Sequence, residues 1–469
     1  MLLERLYDDD LAHASYVIGC QRTGEAIVVD PRRDVQVYLD LAAKNGMTIT
    51  AVTETHIHAD YLSGTRELAA RTGATMYVSG EGGPDWQYGS GFQDATRMMH
   101  GHRIAIGNIT VEAVHTPGHT PEHLSFLITD GAASSEPGYV LTGDFVFVGD
   151  VGRPDLLDEA AGGVDTRFDG ASDLFASLRD QFLTLPDYVQ VLPAHGSGSA
   201  CGKALGAVPS STVGYERRFA WWAPYLEAGD EQGFIDTLLN DQPDAHAYFA
   251  RMKRQNRVGP ALRGHLAPLT EYSAPKLRAD IEADRVIVVD TRHHSLVHEG
   301  TVPGALNVPG VAKAASYGAW VYNPESETRP LVLLIDSANT AAQFRDHLLR
   351  VGIDQVDGFT TTLEGLPTVQ PKTIAPTDLY QVDAALLLDV RNRTEYNAGH
   401  IPNAVQLSGG RALWHADELP AGKILTYCQS GVRNSVVASA LRRAGHDVIE
   451  IEGSYNAWVA ATAPQTAPA

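Results

Sequence analysis

The chain has 469 residues, and 57 Asp and Glu against 36 Lys and Arg give it a formal charge of −21. That length suggests about three domains, the 44% hydrophobic content allows real cores and argues against disorder, and so acidic a chain repels phosphate backbones, which speaks against a nucleic-acid partner. Three cysteines cannot make a disulfide framework and suit a reducing, cytoplasmic compartment.

The opening stretch MLLERLYDDDLAHAS puts acids where a secretory segment needs bases, so no leader is expected, and residues 8–10 read as a solvated acidic loop. No window approaches about 18 uninterrupted apolar residues, so no membrane span is expected. Up to about residue 250, apolar strands recur at 26–29, 49–52, 110–114, 139–141 and 189–192. Each ends in a polar or Gly/Pro-bearing loop, and those loops hold most of the histidines. Open α/β and αββα folds present chemistry at one sheet edge in this way. Cys20 reads as a packed strand residue. Residues 215–257 have helical spacing that closes the domain, with 219–222 (FAWW) as core.

The first strand-end loop carries His56, His58 and Asp60 at i, i+2 and i+4. Later loops add His119 in TPGHTPEH, Asp144 in LTGDFVF and His195 in LPAHGSG. Neutral imidazoles with a carboxylate suit first-row divalent metals. His115 and His123, flanking His119, read as backbone hydrogen-bonders. Cys201, in HGSGSACGK, reads as a thiol in an accessible glycine-rich loop.

Beyond residue 260 the chain repeats itself. VIVVDTRHHSLVHEGTVPGALNVP from Val286 parallels ALLLDVRNRTEYNAGHIPNAVQL from Ala385, with Asp290, Gly300 and Pro303 matching Asp389, Gly399 and Pro402 at one constant offset. PLVLLIDSANTAAQFRDHLLRVGIDQV then parallels KILTYCQSGVRNSVVASALRRAGHDVIEI: a strand, a loop, an amphipathic helix ended by Gly352 or Gly445, and another strand. Two tandem domains of about 100 residues follow from this repeat. Residues 259–275 and 367–376 read as linkers, His293 and His294 as solvated, and the tail ATAPQTAPA as frayed.

In the second copy, Cys428-Gln-Ser-Gly-Val-Arg433 lies between strand and helix. A cysteine there meets the positive end of the helix dipole and unpaired N–H groups, which favour an anionic sulfur. Gly431 permits the tight loop, and Arg433 adds positive charge toward an anionic sulfur donor. The first copy has Asp336 in the place of Cys428. A carboxylate offers no thiol nucleophile, so that copy is expected to be catalytically silent, a spacer or docking surface.

Residues 1–250 resemble the metallo-β-lactamase superfamily. Its HxHxDH signature stands here as His56-Ile57-His58-Ala59-Asp60-Tyr61, with Tyr61 replacing the last His. In the superfamily's dinuclear hydrolases that His and the preceding acid hold a second metal. A neutral phenol binds divalent metals weakly, so the departure implies one metal. The pattern is most similar to the persulfide dioxygenase (sulfur dioxygenase) branch. That resemblance implies one Fe(II) per chain on His56, His119 and Asp144, a two-His, one-carboxylate set with three open positions for substrate sulfur and O2. His58, Asp60, Tyr61 and His195 would then support the ligands. Arg153, in GDVGRPDL, matches an arginine near the thiol substrate in that branch and reads equally well as a surface salt-bridge residue. Cys201 is a second candidate substrate contact or sulfur holder.

The loop at Cys428 resembles the rhodanese (sulfurtransferase) active loop, and Asp389, Arg391, Glu395, His400, Ile401 and Pro402 match that family's N-terminal motif. The resemblance implies a covalent persulfide on Cys428, with Gly431 and Arg433 shaping the loop. The expected fold is therefore multidomain α/β: an αββα sandwich at 1–255, an inactive rhodanese-like domain at 270–368 and an active one at 375–465. The implied function is oxidation of a low-molecular-weight thiol persulfide by O2 to sulfite, coupled to making or using thiosulfate, in sulfide detoxification. A homo-oligomer is expected. The alternatives are a zinc thioesterase of the same sandwich fold fused to a sulfurtransferase, and a sulfur-relay protein that docks a partner.

Overall fold

The computed structural model describes residues 1–159, 162–203 and 205–462; most of the tail read as frayed lies outside them. They form two compact units, residues 1–245 with 249–266, and residues 246–248 with 267 onward. Among them no helix is long and apolar enough to cross a membrane.

In the first unit, period-two alternation of apolar side chains builds a four-layer stack. One six-stranded sheet takes its strands in chain order: Leu2–Asp8, His13–Cys20, Glu25–Val29, Thr48–Thr53, Thr75–Ser79 and Thr96–Met98. The other runs Ser211–Thr212, Gln190–Pro193, Tyr139–Gly143, Leu124–Asp130, Ile109–His115 and Arg103–Ile106. Tyr16, Ile18, Ile27 and Val29 of the first sheet meet Val111, Ala113, Phe126 and Leu141 of the second in the central core, where Cys20 also packs. The alternate residues Val17, Ala26 and Val28 face outward onto Tyr38 and Leu68, which lie on the helices Gln36–Lys44 and Thr65–Thr72. On the far side Val140 and Val191 pack on Leu174, Phe175, Phe182, Trp222 and Phe234. Each such fully buried side chain contributes about 1.5–3 kcal/mol. The layers are thus helix, sheet, sheet, helix.

Two sequence expectations hold only in part: the closing segment is helical, but in pieces, and of the three acids at 8–10 Asp9 alone is exposed. The segment 215–257 is broken into Val213–Phe219, Ala223–Ala228, Glu231–Leu239 and Phe249–Val258, and while Trp222 is core, Phe219 is 63% exposed. The acidic run at 8–10 is not solvated at its ends. Asp8 and Asp10 are buried, because Asp8 accepts the N–H groups of Asp10 and Leu11 and pairs with Arg32 at 3.3 Å.

The second unit contains two parallel five-stranded sheets of the same order. One runs Thr270–Glu271, Val356–Thr360, Leu331–Leu334, Ile287–Asp290 and Leu306–Asn307; the other runs Thr373–Ile374, Asp447–Ile451, Lys423–Tyr427, Leu386–Asp389 and Val405–Gln406. The central strand Leu331–Leu334 is buried throughout and its counterpart Lys423–Tyr427 is buried from Ile424 on, as parallel sheets covered on both faces require. The internal repeat is therefore a repeat of whole sheets.

Candidate functional sites

In the first unit, chemistry gathers where strands end. The strand Thr48–Thr53 runs into His56, His58 and Asp60; Ile109–His115 leads to His119; Tyr139–Gly143 to Asp144; and Gln190–Pro193 to His195. Asp30, with left-handed backbone just past Glu25–Val29, organises the first loop. Its carboxylate accepts the Thr55 N–H at 2.6 Å and the Thr55 hydroxyl at 3.0 Å, and bonds His58 Nε2 at 3.0 Å. Its carbonyl accepts the Tyr61 hydroxyl. That hydroxyl is thus engaged away from the imidazoles.

His56 is held through Nδ1 by the Thr55 hydroxyl at 3.0 Å, and His119 through Nδ1 by the carbonyl of Arg153 at 3.1 Å. Both rings therefore turn Nε2 toward one oxygen of Asp144, at 3.9 and 3.6 Å. Bonds of this kind to the far nitrogen set the tautomer that leaves Nε2 a lone pair for a metal. Burial keeps both imidazoles well below their usual pKa, hence neutral, and drives Asp144 up to about 6. Gly152 makes the approach possible, since a Cβ there would collide with the Asp144 carbonyl.

A second cluster shares Asp144. His195 Nε2 lies 3.4 Å from the other Asp144 oxygen and 3.4 Å from Asp60. Asp60, His195 and Cys201 form one group of potential ligands, and His56, His119 and Asp144 form another. Cys201 is buried, contrary to its reading as an accessible loop thiol, and burial raises its pKa well above the ordinary thiol value. Both Asp144 oxygens, Asp60 Oδ2, His195 Nε2 and His58 Nδ1 are buried without a hydrogen-bond partner. Each such group costs about 1–3 kcal/mol unless satisfied. The orphaned Asp144 carboxylate, faced by the Nε2 atoms of His56 and His119, fits a divalent cation.

Arg153 is no surface residue. It is fully buried, pairs with Asp155 through two hydrogen bonds and donates to the Ala200 carbonyl at 3.0 Å. Sequence reading passed over His13, whose buried ring lies 4.2 Å from that of Tyr61 and 5.5 Å from that of His195, and over Asp30 and Lys253. Lys253 lines a cavity of about 800 Å³ with Ile57, Trp86, Arg254 and Arg257. Its Nζ stands 4.2 Å over the Trp86 ring, and burial lowers its pKa to about 8. The signal was present in the basic helix Phe249–Val258, but nothing local ties that helix to the histidines. His115 bonds the Pro121 carbonyl, and His123 bonds the Thr116 hydroxyl and accepts the Asp144 N–H.

In the second unit Cys428 follows the strand Lys423–Tyr427 and is 1% exposed. Its Sγ accepts the Gly431 N–H at 3.1 Å, and its own N–H is taken by Ser454 at 3.2 Å. Gly431 has φ +112° and precedes the helix Val432–Arg443, so its N–H turns back onto the sulfur. Arg433 does not face the sulfur unaccompanied as the sequence suggested. It makes two 2.7 Å hydrogen bonds to Glu395, itself held by a capping box with Asn392. Arg391 ties Asp389 to the Gly399 carbonyl and to Gln429 in the cysteine loop. His400 stacks on Tyr396 at 3.8 Å.

Residues 8–195 match the metallo-β-lactamase superfamily, and residues 376–461 match the rhodanese-like domain. The crystal structure of a metallo-β-lactamase from Staphylococcus aureus subsp. aureus COL is 39% identical, with a TM-score of 0.68, over 76% of this chain and 98% of that one. A hydroxyacylglutathione hydrolase of Polaromonas sp. is 27% identical over 54% of this chain and 98% of its own length. The mitochondrial persulfide dioxygenase ETHE1 of Mus musculus is 26% identical over 42% of this chain and 68% of its own length.

Proposed function

The chain belongs to the metallo-β-lactamase superfamily and carries a C-terminal rhodanese-like domain, and from that premise we propose that it oxidises the terminal sulfur of a small-thiol persulfide with O2. Its N-terminal site converts persulfide, O2 and water into thiol, sulfite and two protons, and Cys428 moves sulfane sulfur to or from thiosulfate. His56, His119 and Asp144 would hold one Fe(II), which would supply redox chemistry toward O2 and the substrate sulfur. His56 and His119 present neutral Nε2 atoms because Thr55 and the Arg153 carbonyl hold the opposite nitrogens. His58, Asp60 and His195 surround Asp144 and orient groups near it. Lys253, Arg254 and Arg257 give the adjoining cavity a basic lining suited to an anionic carrier such as glutathione or coenzyme A. The three cysteines are free thiols, in keeping with a reducing cytoplasm.

The observation that carries this reading is Asp144, an orphaned buried carboxylate facing two neutral imidazoles, in a chain that also holds a cysteine at a rhodanese-type loop. A zinc thioesterase is the second reading. The Asp60–His195–Cys201 cluster favours it, since a thiol there offers a second metal the ligand that Tyr61 does not. An oxygen electrode with glutathione persulfide, run beside metal analysis of the purified chain, decides between them. The dioxygenase reading expects O2 uptake matched by sulfite and about one iron per chain. Two zincs per chain, no O2 uptake and hydrolysis of a glutathione thioester would overturn it.

A further inference from the structure

The copy that lacks a cysteine is built into the other copy's site. The Asn307 N–H, at the end of Leu306–Asn307, donates to Ser439 Oγ at 2.9 Å, and the Ser435 hydroxyl donates to Asn307 Oδ1 at 2.9 Å. Both serines are buried on the helix Val432–Arg443, whose first turn closes the Cys428 loop. Arg443 donates to the Gly304 carbonyl at 2.8 Å, and His298 bonds Glu450 at 3.2 Å. These contacts set one face of the middle copy against that helix.

At the tip of this face stands His294. A Cβ added to Gly431 would lie 2.9 Å from His294 Nε2 and 3.3 Å from its Cδ2, so the imidazole covers the residue whose N–H bonds the sulfur. The sequence reading had His294 solvated. It is half-buried, its Nδ1 has no hydrogen-bond partner, and His293 and His298 stand at ring distances of 4.0 and 5.8 Å. A solvated surface histidine needs none of this. Imidazole against a glycine with φ +112° leaves that glycine no room to swing its N–H off the sulfur.

We infer that His294 of the middle copy is a positioning residue for the Cys428 site, bracing Gly431 so that its N–H stays on the sulfur. The inference rests on reading Cys428 as the sulfur carrier. In the half-reaction concerned, the Cys428 thiolate attacks the outer sulfur of thiosulfate. A sulfur–sulfur bond forms to Cys428 while the one to sulfite breaks, and the electron pair leaves with sulfite. Cyanide then takes the outer sulfur as thiocyanate and returns the thiolate. The Gly431 N–H stabilises the sulfur anion at both ends of this cycle.

The test uses the full-length protein, thiosulfate and cyanide, with iodoacetamide as a probe of the Cys428 thiolate. His294→Ala should lower kcat/KM for thiosulfate by about tenfold, chiefly through kcat, as for one lost charge-assisted hydrogen bond. The midpoint of iodoacetamide alkylation against pH should move up with it. His294→Gln, which keeps a planar polar group against Gly431, should recover most of the activity, and Leu296→Ala on the same helix should change neither measurement. Wild-type turnover and an unmoved alkylation profile in His294→Ala would overturn the inference. So would equal loss in His294→Gln and Leu296→Ala, which marks general damage. Cys428→Ser run alongside separates the two claims: if it still transfers sulfur the carrier reading fails, whereas if it is dead and His294→Ala is normal only the bracing role fails.

Discussion

The two tandem copies of the second unit share a frame and differ in the loop after the central strand. In the middle copy Arg292 pairs with Asp290 and donates to the Gly300 carbonyl at 2.7 Å; in the last, Arg391 does the same with Asp389 and Gly399. Both devices lock a strand end to the turn beyond the next helix. The loops that follow the central strands then diverge. The sheet register sets Leu334 opposite Asp290 and Tyr427 opposite Asp389, so Ile335, and not Asp336 as the sequence suggested, stands in the place of Cys428; the middle copy's helix begins at Ala338, three residues later, and Ser337 caps it by accepting the Thr340 N–H. In the last copy the helix begins at Val432, four residues after Cys428, and Gly431 gives its N–H to the sulfur. Ile335 and Cys428 are both buried, and Asp336, one position further on, is exposed. One residue of extra loop thus separates a capped helix end from a cradle for an anion. The chemistry depends on that length as much as on the cysteine itself.

The sharpest way to break this comparison is to remove the cysteine. Cys428→Ser should lower thiosulfate:cyanide transfer by at least about 10³-fold, while persulfide-dependent O2 uptake by the first unit persists. Activity in both assays is measured on one preparation, and undiminished transfer would return Cys428 to a packing role. The reciprocal change, His119→Ala or Asp144→Asn, should cost at least about 100-fold in metal content and O2 uptake together and leave sulfur transfer standing. Retention of both metal and uptake would remove those residues from the ligand set.

A subtler trial restores the missing thiol to the silent copy. Ile335→Cys in a Cys428→Ser background should recover less than about 1% of wild-type transfer, because no glycine N–H is turned onto that position. Substantial recovery would mean that the residue alone separates the copies. The smallest expected effect concerns how they are joined. Burial pushes the Glu450 carboxyl up, but the bonds from His298 and Arg442 outweigh it and hold the pKa below the ordinary 4.5. A depressed carboxylate pKa gives stability that is present above the unfolded value and is lost as pH falls through the folded one. Glu450→Gln should therefore cost about 1–3 kcal/mol near pH 7 by calorimetry, and the gap to wild type should narrow as pH falls below the ordinary 4.5. A gap that persists in acid would show that Glu450 acts through shape and not charge.

Much of this architecture was legible in the chain, because it is written in short-range pattern. Strand alternation needs only neighbouring residues, the tandem copies are visible as a repeat, and His56, His119, Asp144 and Cys428 each stand beside a strand end that the sequence marks. Other features escaped for one reason. Asp30 holds His58 from 28 positions away, His13 meets His195 across most of the first unit, and Lys253 belongs to a helix whose own periodicity says nothing of histidines. Cys201 looked accessible because glycine-rich loops usually are, yet it is buried beside Asp144. Arg433 looked free until Glu395, 38 residues earlier, was brought against it. Local sequence decides which elements form and which residues stand at their ends. Only the packing of those elements decides which ends meet, and with that come the burial, the charge partners and the orphaned acceptors from which a site is made.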